Sequence, residues 1–185
     1  MCYELSPSAS DLAEGFKWFS KAAKQQHAES QYYLGSCYEL GNGVPKDEIE
    51  AANWYKKSAE LGFEPAQYQL GLMYRRGAGV IKDDVEAANW FLKAANQGNA
   101  EAQYQIGTMY LRGKGVSKDE PAAIAWFHKT AEQGQVDAEF GLGLMYESGR
   151  IVPQDKAEAL KWFQLAKEHG EEMAYEKVLA LGADL

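Results

Sequence analysis

With 185 residues, 46% apolar and 25% charged, the chain is long enough for one domain with a sizeable core and has the balance of an ordinary globular protein. Its formal net charge of −8 argues against a nucleic-acid surface, because counterion release needs clustered Lys and Arg, and points to protein or peptide as the partner. No apolar run approaches the roughly 18 to 20 residues of a membrane span, and two cysteines, Cys2 and Cys37, are too few for a disulfide-rich secreted scaffold.

The chain opens with MCYELSPSASD, which aligns with SCYELGNGVPKD one period later and sets Tyr3 opposite Tyr38 and Asp11 opposite Asp47. It therefore starts in the last turn of a first helix and continues into a second helix carrying Phe16, Trp18 and Phe19. The opening lacks the basic start and apolar stretch of a signal peptide, so the product as written reads as cytoplasmic, without membrane insertion. A fragment that had lost its signal would be secreted or periplasmic. Cys2 and Cys37 occupy matching places on stacked helices, whose axes lie roughly 8 to 10 Å apart, too far for a bridge. Both read as small apolar core residues with free thiols.

A period of 36 residues governs the rest of the chain. Trp18, Trp54, Trp90, Trp126 and Trp162 keep it, as do Gly35, Gly71, Gly107 and Gly143, and Tyr38, Tyr74, Tyr110 and Tyr146. The expected organisation is a single repeat domain over 1–185: a half repeat at 1–27, full repeats at 28–63, 64–99, 100–135 and 136–170, and a capping helix at 171–185. Each unit reads as two helices. In the first, Ala102, Ile106, Met109 and Tyr110 fall at i, i+4, i+7 and i+8, one apolar stripe. In the second, Ala51, Trp54, Tyr55, Ser58 and Ala59 share a face. Gly107 interrupts the first stripe at a cost of about 1 kcal/mol against alanine, so something bulky must approach there, and the indole of the second helix is the expected group.

Boundaries are written as well. Asp11, Asp47, Asp83 and Asp155 each have Glu three residues on, a carboxylate capping box that Asp119 lacks. Gly62, Gly98, Gly134 and Gly170 close the second helices, with Gln26 the exception. GNG, GAG and GKG between the helices have neither the Lys-Ser/Thr pair nor the preceding strand of a phosphate loop and read as tight turns. Gly149-Arg150-Ile151 departs from that pattern, and its turn is expected to differ.

The string LGLMYRRGAGVIKDDVEAANWFLKAANQG resembles the Sel1-like repeat, a relative of the tetratricopeptide repeat, over residues 28 to 170 with half units at either end. The resemblance implies an all-α fold, a right-handed α/α superhelical solenoid of antiparallel helix pairs. It also implies first helices lining a concave face and a usual role as adaptor or scaffold.

Positions that vary between units carry whatever is particular to the chain. On the first helices a second stripe comprises Tyr32 and Glu39, then Tyr68, Leu72, Arg75 and Arg76, then Tyr104, Thr108, Leu111 and Arg112, then Phe140, Leu144 and Glu147. By analogy with tetratricopeptide repeats it faces the groove. Tyr32, Tyr68, Tyr104 and Phe140 make an aromatic ladder, and Arg75, Arg76 and Arg112 a basic cluster suited to a partner's carboxylate. Two readings stay open: a peptide-binding stripe, or aromatics packed between helices with arginines paired to nearby glutamates.

Catalytic signals are absent. Ser-x-x-Lys, Gly-x-Ser-x-Gly and His-Glu-x-x-His do not occur, and His27, His128 and His169 scatter along the chain, so no metal, cofactor or enzyme activity is expected. The expected function is a non-enzymatic interaction scaffold. Its alternatives are an inhibitor or immunity-type protein that blocks a target enzyme and, behind it, a β-lactamase-like hydrolase. The abrupt start leaves three explanations: a natural short cap, self-association through the N-terminal edge, or a longer parent chain.

Overall fold

The computed structural model describes residues 9–182. Cys2, Tyr3 and the turn at Ser6–Ser8 lie outside the described residues. The chain resolves into two compact units, Met1–Gln97 and Gly98–Leu185. The first holds α1 (Ala9–Ala23), α2 (Ala28–Leu40), α3 (Glu48–Glu60), α4 (Glu64–Arg76) and α5 (Asp84–Asn96). The second holds α6 (Ala100–Arg112), α7 (Glu120–Ala131), α8 (Val136–Ser148), α9 (Lys156–Glu168) and α10 (Glu172–Gly182). There is no strand among the described residues. Helices pack in hairpins, α2 with α3 and α4 with α5 in the first unit, α6 with α7 and α8 with α9 in the second.

Glycines inside the first helices admit an aromatic ring from the second, but the ring is not the indole. A Cβ at Gly71 would lie 2.7 Å from the Phe91 ring, one at Gly143 2.5 Å from Phe163, one at Gly35 2.9 Å from Tyr55 and one at Gly107 3.1 Å from Phe127. The residue after each tryptophan takes the seat because one helical step turns the side chain by about 100°. Tyr55, Phe91 and Phe163 are almost wholly buried. The indoles pack elsewhere: Trp90 lies against Ala59, Ala66 and Leu70, and Trp162 against Ala131, Ala138 and Leu142. Each thus fills the junction between one hairpin and the preceding second helix. Lysines cover the rings one turn on, Lys57 at 3.8 Å from Trp54 and Lys93 at 3.6 Å from Trp90. Trp18, on α1, is 63% exposed.

Asp47, Asp83 and Asp155 cap their helices, each accepting from two backbone N–H groups, and Asp119 accepts from one. The reciprocal half of the capping box is replaced. The aspartate N–H donates to the carbonyl of the repeating tyrosine, Asp47 to Tyr38 at 2.8 Å and Asp119 to Tyr110 at 3.0 Å. That is why Asp119 caps without a glutamate. Asp11 departs from its expected role, since α1 begins at Ala9 and places it in the first turn. Gly62, Gly98, Gly134 and Gly170 take positive φ at the ends of the second helices, and Gln26 is the one non-glycine that does so among the described residues.

The interhelical turns need their second glycine for contact as well as for φ. Gly79, at φ 68°, lies so close to the Glu48 carbonyl that no Cβ fits, and Gly43 meets the Leu12 carbonyl in the same way. Ile151, at the corresponding place in the last turn, has no positive φ, so that turn does differ. Finally, α10 carries Leu179, 57% exposed, in the register where the earlier first helices have their ring-admitting glycine.

Candidate functional site

In the first unit the varying stripe lies on α2 and α4. Tyr32 is half-buried, with ring centroids 5.4 Å from both Tyr55 and Phe63, and Tyr68 stands 5.9 Å from Phe91. These ladder residues therefore pack on the rings that occupy the glycine seats. Burial, with the neighbouring Tyr33, Glu39 and Glu64, pushes the Tyr32 phenol above its ordinary range. Glu39 accepts from Tyr55 Oη at 2.6 Å and from Gln69 Nε2 at 2.9 Å. Burial first and that hydrogen bond second drive the Tyr55 phenol far above the tyrosine range. Leu72 is buried, Arg75 lies 5.7 Å over the Phe91 ring, and Arg76 is exposed at the helix end.

In the second unit Tyr104 stands 5.6 Å from Phe127 and Phe140 5.5 Å from Phe163, again aromatic on aromatic. Burial, then the carboxylate of Asp137, raise the Tyr104 phenol, and Arg112 opposes them. Tyr104, Asp137 and Arg112 are thus close enough to feel one another's charge. Arg112 is exposed, Thr108 and Leu111 are half-buried, and Leu144 is 38% exposed. Glu147 accepts from Lys177 Nζ of α10 at 2.6 Å.

A second set of polar residues, buried in the first-helix stripe, has no counterpart among the residues singled out by spacing. Gln31, Gln67, Gln103 and Glu139 recur at the repeat period and are all at most 5% exposed. Gln31 Nε2 donates to the Ala23 carbonyl and Gln67 Nε2 to that of Ala59, both at 3.2 Å. The second-helix ends supply donors in return: Gln97 Nε2 reaches Gln67 Oε1 and Gln133 Nε2 reaches Gln103 Oε1, each at 2.8 Å. In the last repeat the amide pair becomes Glu139 with His169, whose Nδ1 lies 2.9 Å from both carboxylate oxygens. The first repeat has Leu61 at the donor's place, and Gln31 Oε1 is buried without a partner among the described residues. The signal for this set was an amide held in register among apolar neighbours.

His128 and His169 do not scatter. With Glu139, Lys161 and Trp162 they line one cavity of about 640 Å³ in the second unit. His128 Nε2 lies 3.1 Å from Tyr146 Oη, and its ring meets that of Trp162 edge-on at 5.5 Å. Among the described residues no three His, Cys, Asp or Glu side chains are placed to hold a metal ion. His27 caps α2, its Nδ1 accepting from Ser30 N–H at 3.3 Å. Cys37 is free and buried, and burial raises its thiol pKa. No helix among the described residues is long and apolar enough to cross a membrane.

The Sel1 repeat family model matches residues 1–27, 28–63, 64–99, 100–135 and 136–171. No curated protein matches the chain. Among solved structures, c5321, a protective antigen present in uropathogenic Escherichia coli with an SLR fold, is 36% identical with a TM-score of 0.82 over 86% of this chain. This chain spans only 34% of that protein's length. A Sel1 repeat protein from Oxalobacter formigenes is 32% identical with a TM-score of 0.81, covering 92% of this chain and 72% of its own. The immunity protein Pa5087 from Pseudomonas aeruginosa is 26% identical with a TM-score of 0.52, over 92% of this chain and 69% of its own. Matched along its length and built of helix pairs at the matching period, the chain belongs to the Sel1 repeat family, with the all-α solenoid fold of its structural neighbours.

Proposed function

We propose that this chain is a non-enzymatic adaptor that holds a polypeptide partner against the first-helix faces of its units, where exposed arginines meet the partner's carboxylates. The observation that supports this is the charge left outward at the helix ends. Glu39 and Glu147 are engaged by Tyr55, Gln69 and Lys177, while Arg76 and Arg112, one residue further on in register, are exposed. Arginine in that position offers a bidentate fork at modest entropic cost. Arg75 is a poorer test site because it lies over Phe91, and reversing it would also remove that cation–ring contact.

The measurement is affinity capture with wild type, followed by titration calorimetry of the captured partner against Arg76→Glu and Arg112→Glu. At least one reversal is expected to weaken binding tenfold or more; affinity unchanged in both rejects the reading. A second reading, an immunity-type protein that blocks a target enzyme, is favoured by the likeness to Pa5087 and by the net charge of −8, which suits a basic target.

A further inference from the structure

The first repeat leaves a hydrogen-bond acceptor buried that its successors satisfy. Gln31 is 4% exposed, and its orientation is fixed because Nε2 donates to the Ala23 carbonyl at 3.2 Å, which leaves Oε1 as the unpartnered atom. Beside it opens a cavity of about 490 Å³ between α1, α2 and α3, lined among others by Gln26, Trp54, Lys57 and Leu61.

The molecule itself shows what fits. One repeat on, the Gln97 amide donates to Gln67 Oε1 at 2.8 Å and to the Gly62 carbonyl at 3.1 Å. The residue in register with Gly62 is Gln26, which shares its positive φ and its turn: Gln26 N–H bonds the Ala23 carbonyl at 3.1 Å as Gly62 N–H bonds that of Ala59 at 3.0 Å. The residue in register with Gln97 is Leu61, which has no donor. Gln31 Oε1 and the Gln26 carbonyl thus occupy the register of the two acceptors that a primary amide bridges one repeat on, and Leu61 supplies no such amide.

We propose that this cavity is a binding site for the glutamine side chain of a partner polypeptide, whose carboxamide donates one N–H to Gln31 Oε1 and the other to the Gln26 carbonyl while its methylenes lie along Trp54. A carboxylate in the same place would set its oxygens against two acceptors, and an apolar side chain would leave Gln31 unsatisfied. The site shares no residue with Arg76 or Arg112, so its failure leaves the adaptor reading standing.

The test monitors the Gln31 side-chain amide and Trp54 indole signals of the full chain by NMR, with N-acetyl-Ala-Gln-Ala-N-methylamide as probe and its Glu and Met counterparts as controls. Saturable shifts in the low-millimolar range are expected with the glutamine peptide, and at least tenfold weaker binding with either control. Leu61→Gln should occupy the site from within, abolish peptide binding and raise Tm by about 2 to 4 °C. No shift with the glutamine peptide, equal response to the methionine peptide, or undiminished binding by Leu61→Gln would overturn the proposal. Propionamide binding without peptide binding would overturn its assignment to a polypeptide.

Discussion

Gly71 and Phe91 show how one residue fixes the geometry of a hairpin. Adding a methyl group would raise helix propensity by about 1 kcal/mol, yet it would land 2.7 Å from a ring that is wholly buried and has nowhere to retreat. Overpacking wins this contest. Gly71→Ala is expected to destabilise the protein by about 1 to 3 kcal/mol net in urea unfolding, whereas a gain in stability would mean that the ring moves freely. The caps give a sharper comparison. Asp83 Oδ1 accepts from Val85 N–H at 2.8 Å and Glu86 N–H at 3.1 Å, while Asp83 N–H is already bonded to Tyr74. Asp83→Ala should cost about 1 kcal/mol and Glu86→Ala a few tenths, measured by the same unfolding curves. Equal losses would restore the reciprocal box that the sequence alone had favoured.

At the scale of elements, hairpins and turns were legible because spacing records them. The 36-residue recurrence of Gly71 and Trp90 located both helices of each unit. What spacing did not disclose was which of two adjacent aromatics faced the glycine, since Trp90 and Phe91 are both apolar and differ by one helical step. The varying stripe was legible in the same partial way. Its positions were found, but the packing of Tyr32 on Tyr55 and of Phe140 on Phe163 depends on depth, which a one-dimensional pattern does not carry. The buried amide row escaped because glutamine at a helix position normally reads as exposed.

That row makes the last repeat a measurable exception. Glu139 is 1% exposed, and removing its partner would leave a buried carboxyl group without its hydrogen bond. The His169 side chain is 44% exposed, so water screens part of the interaction. His169→Ala is therefore expected to cost about 2 kcal/mol in thermal or urea unfolding. Replacing both partners with glutamine, Glu139→Gln with His169→Gln, should recover most of it by copying the Gln103–Gln133 pair. A double variant as unstable as the single one would show that the two amides do not substitute for the Glu139–His169 hydrogen bond.

For the whole molecule, the relevant quantities are net charge and the repetition of one building block. In such arrays each repeat is stabilised chiefly by its immediate neighbours, so the surface tolerates variation that a closed core would not. The charge of −8 then bears on association more than on folding. An immunity-type complex with a basic enzyme should lose association rate by about tenfold or more between low and physiological salt, while a partner seated by apolar and amide contacts should change by less than about threefold. Stopped-flow measurement across ionic strength separates the two.

The leucine at position 179 of α10 has a consequence for anyone who would insert a further repeat. A hairpin grafted to close on α10 would drive its ring against Leu179, where earlier helices offer bare backbone. A cassette spliced in register ahead of Val136 would instead find Gly143 and its waiting phenylalanine undisturbed downstream. Leu179→Gly is the change that would give α10 the bare backbone on which the earlier first helices seat their ring.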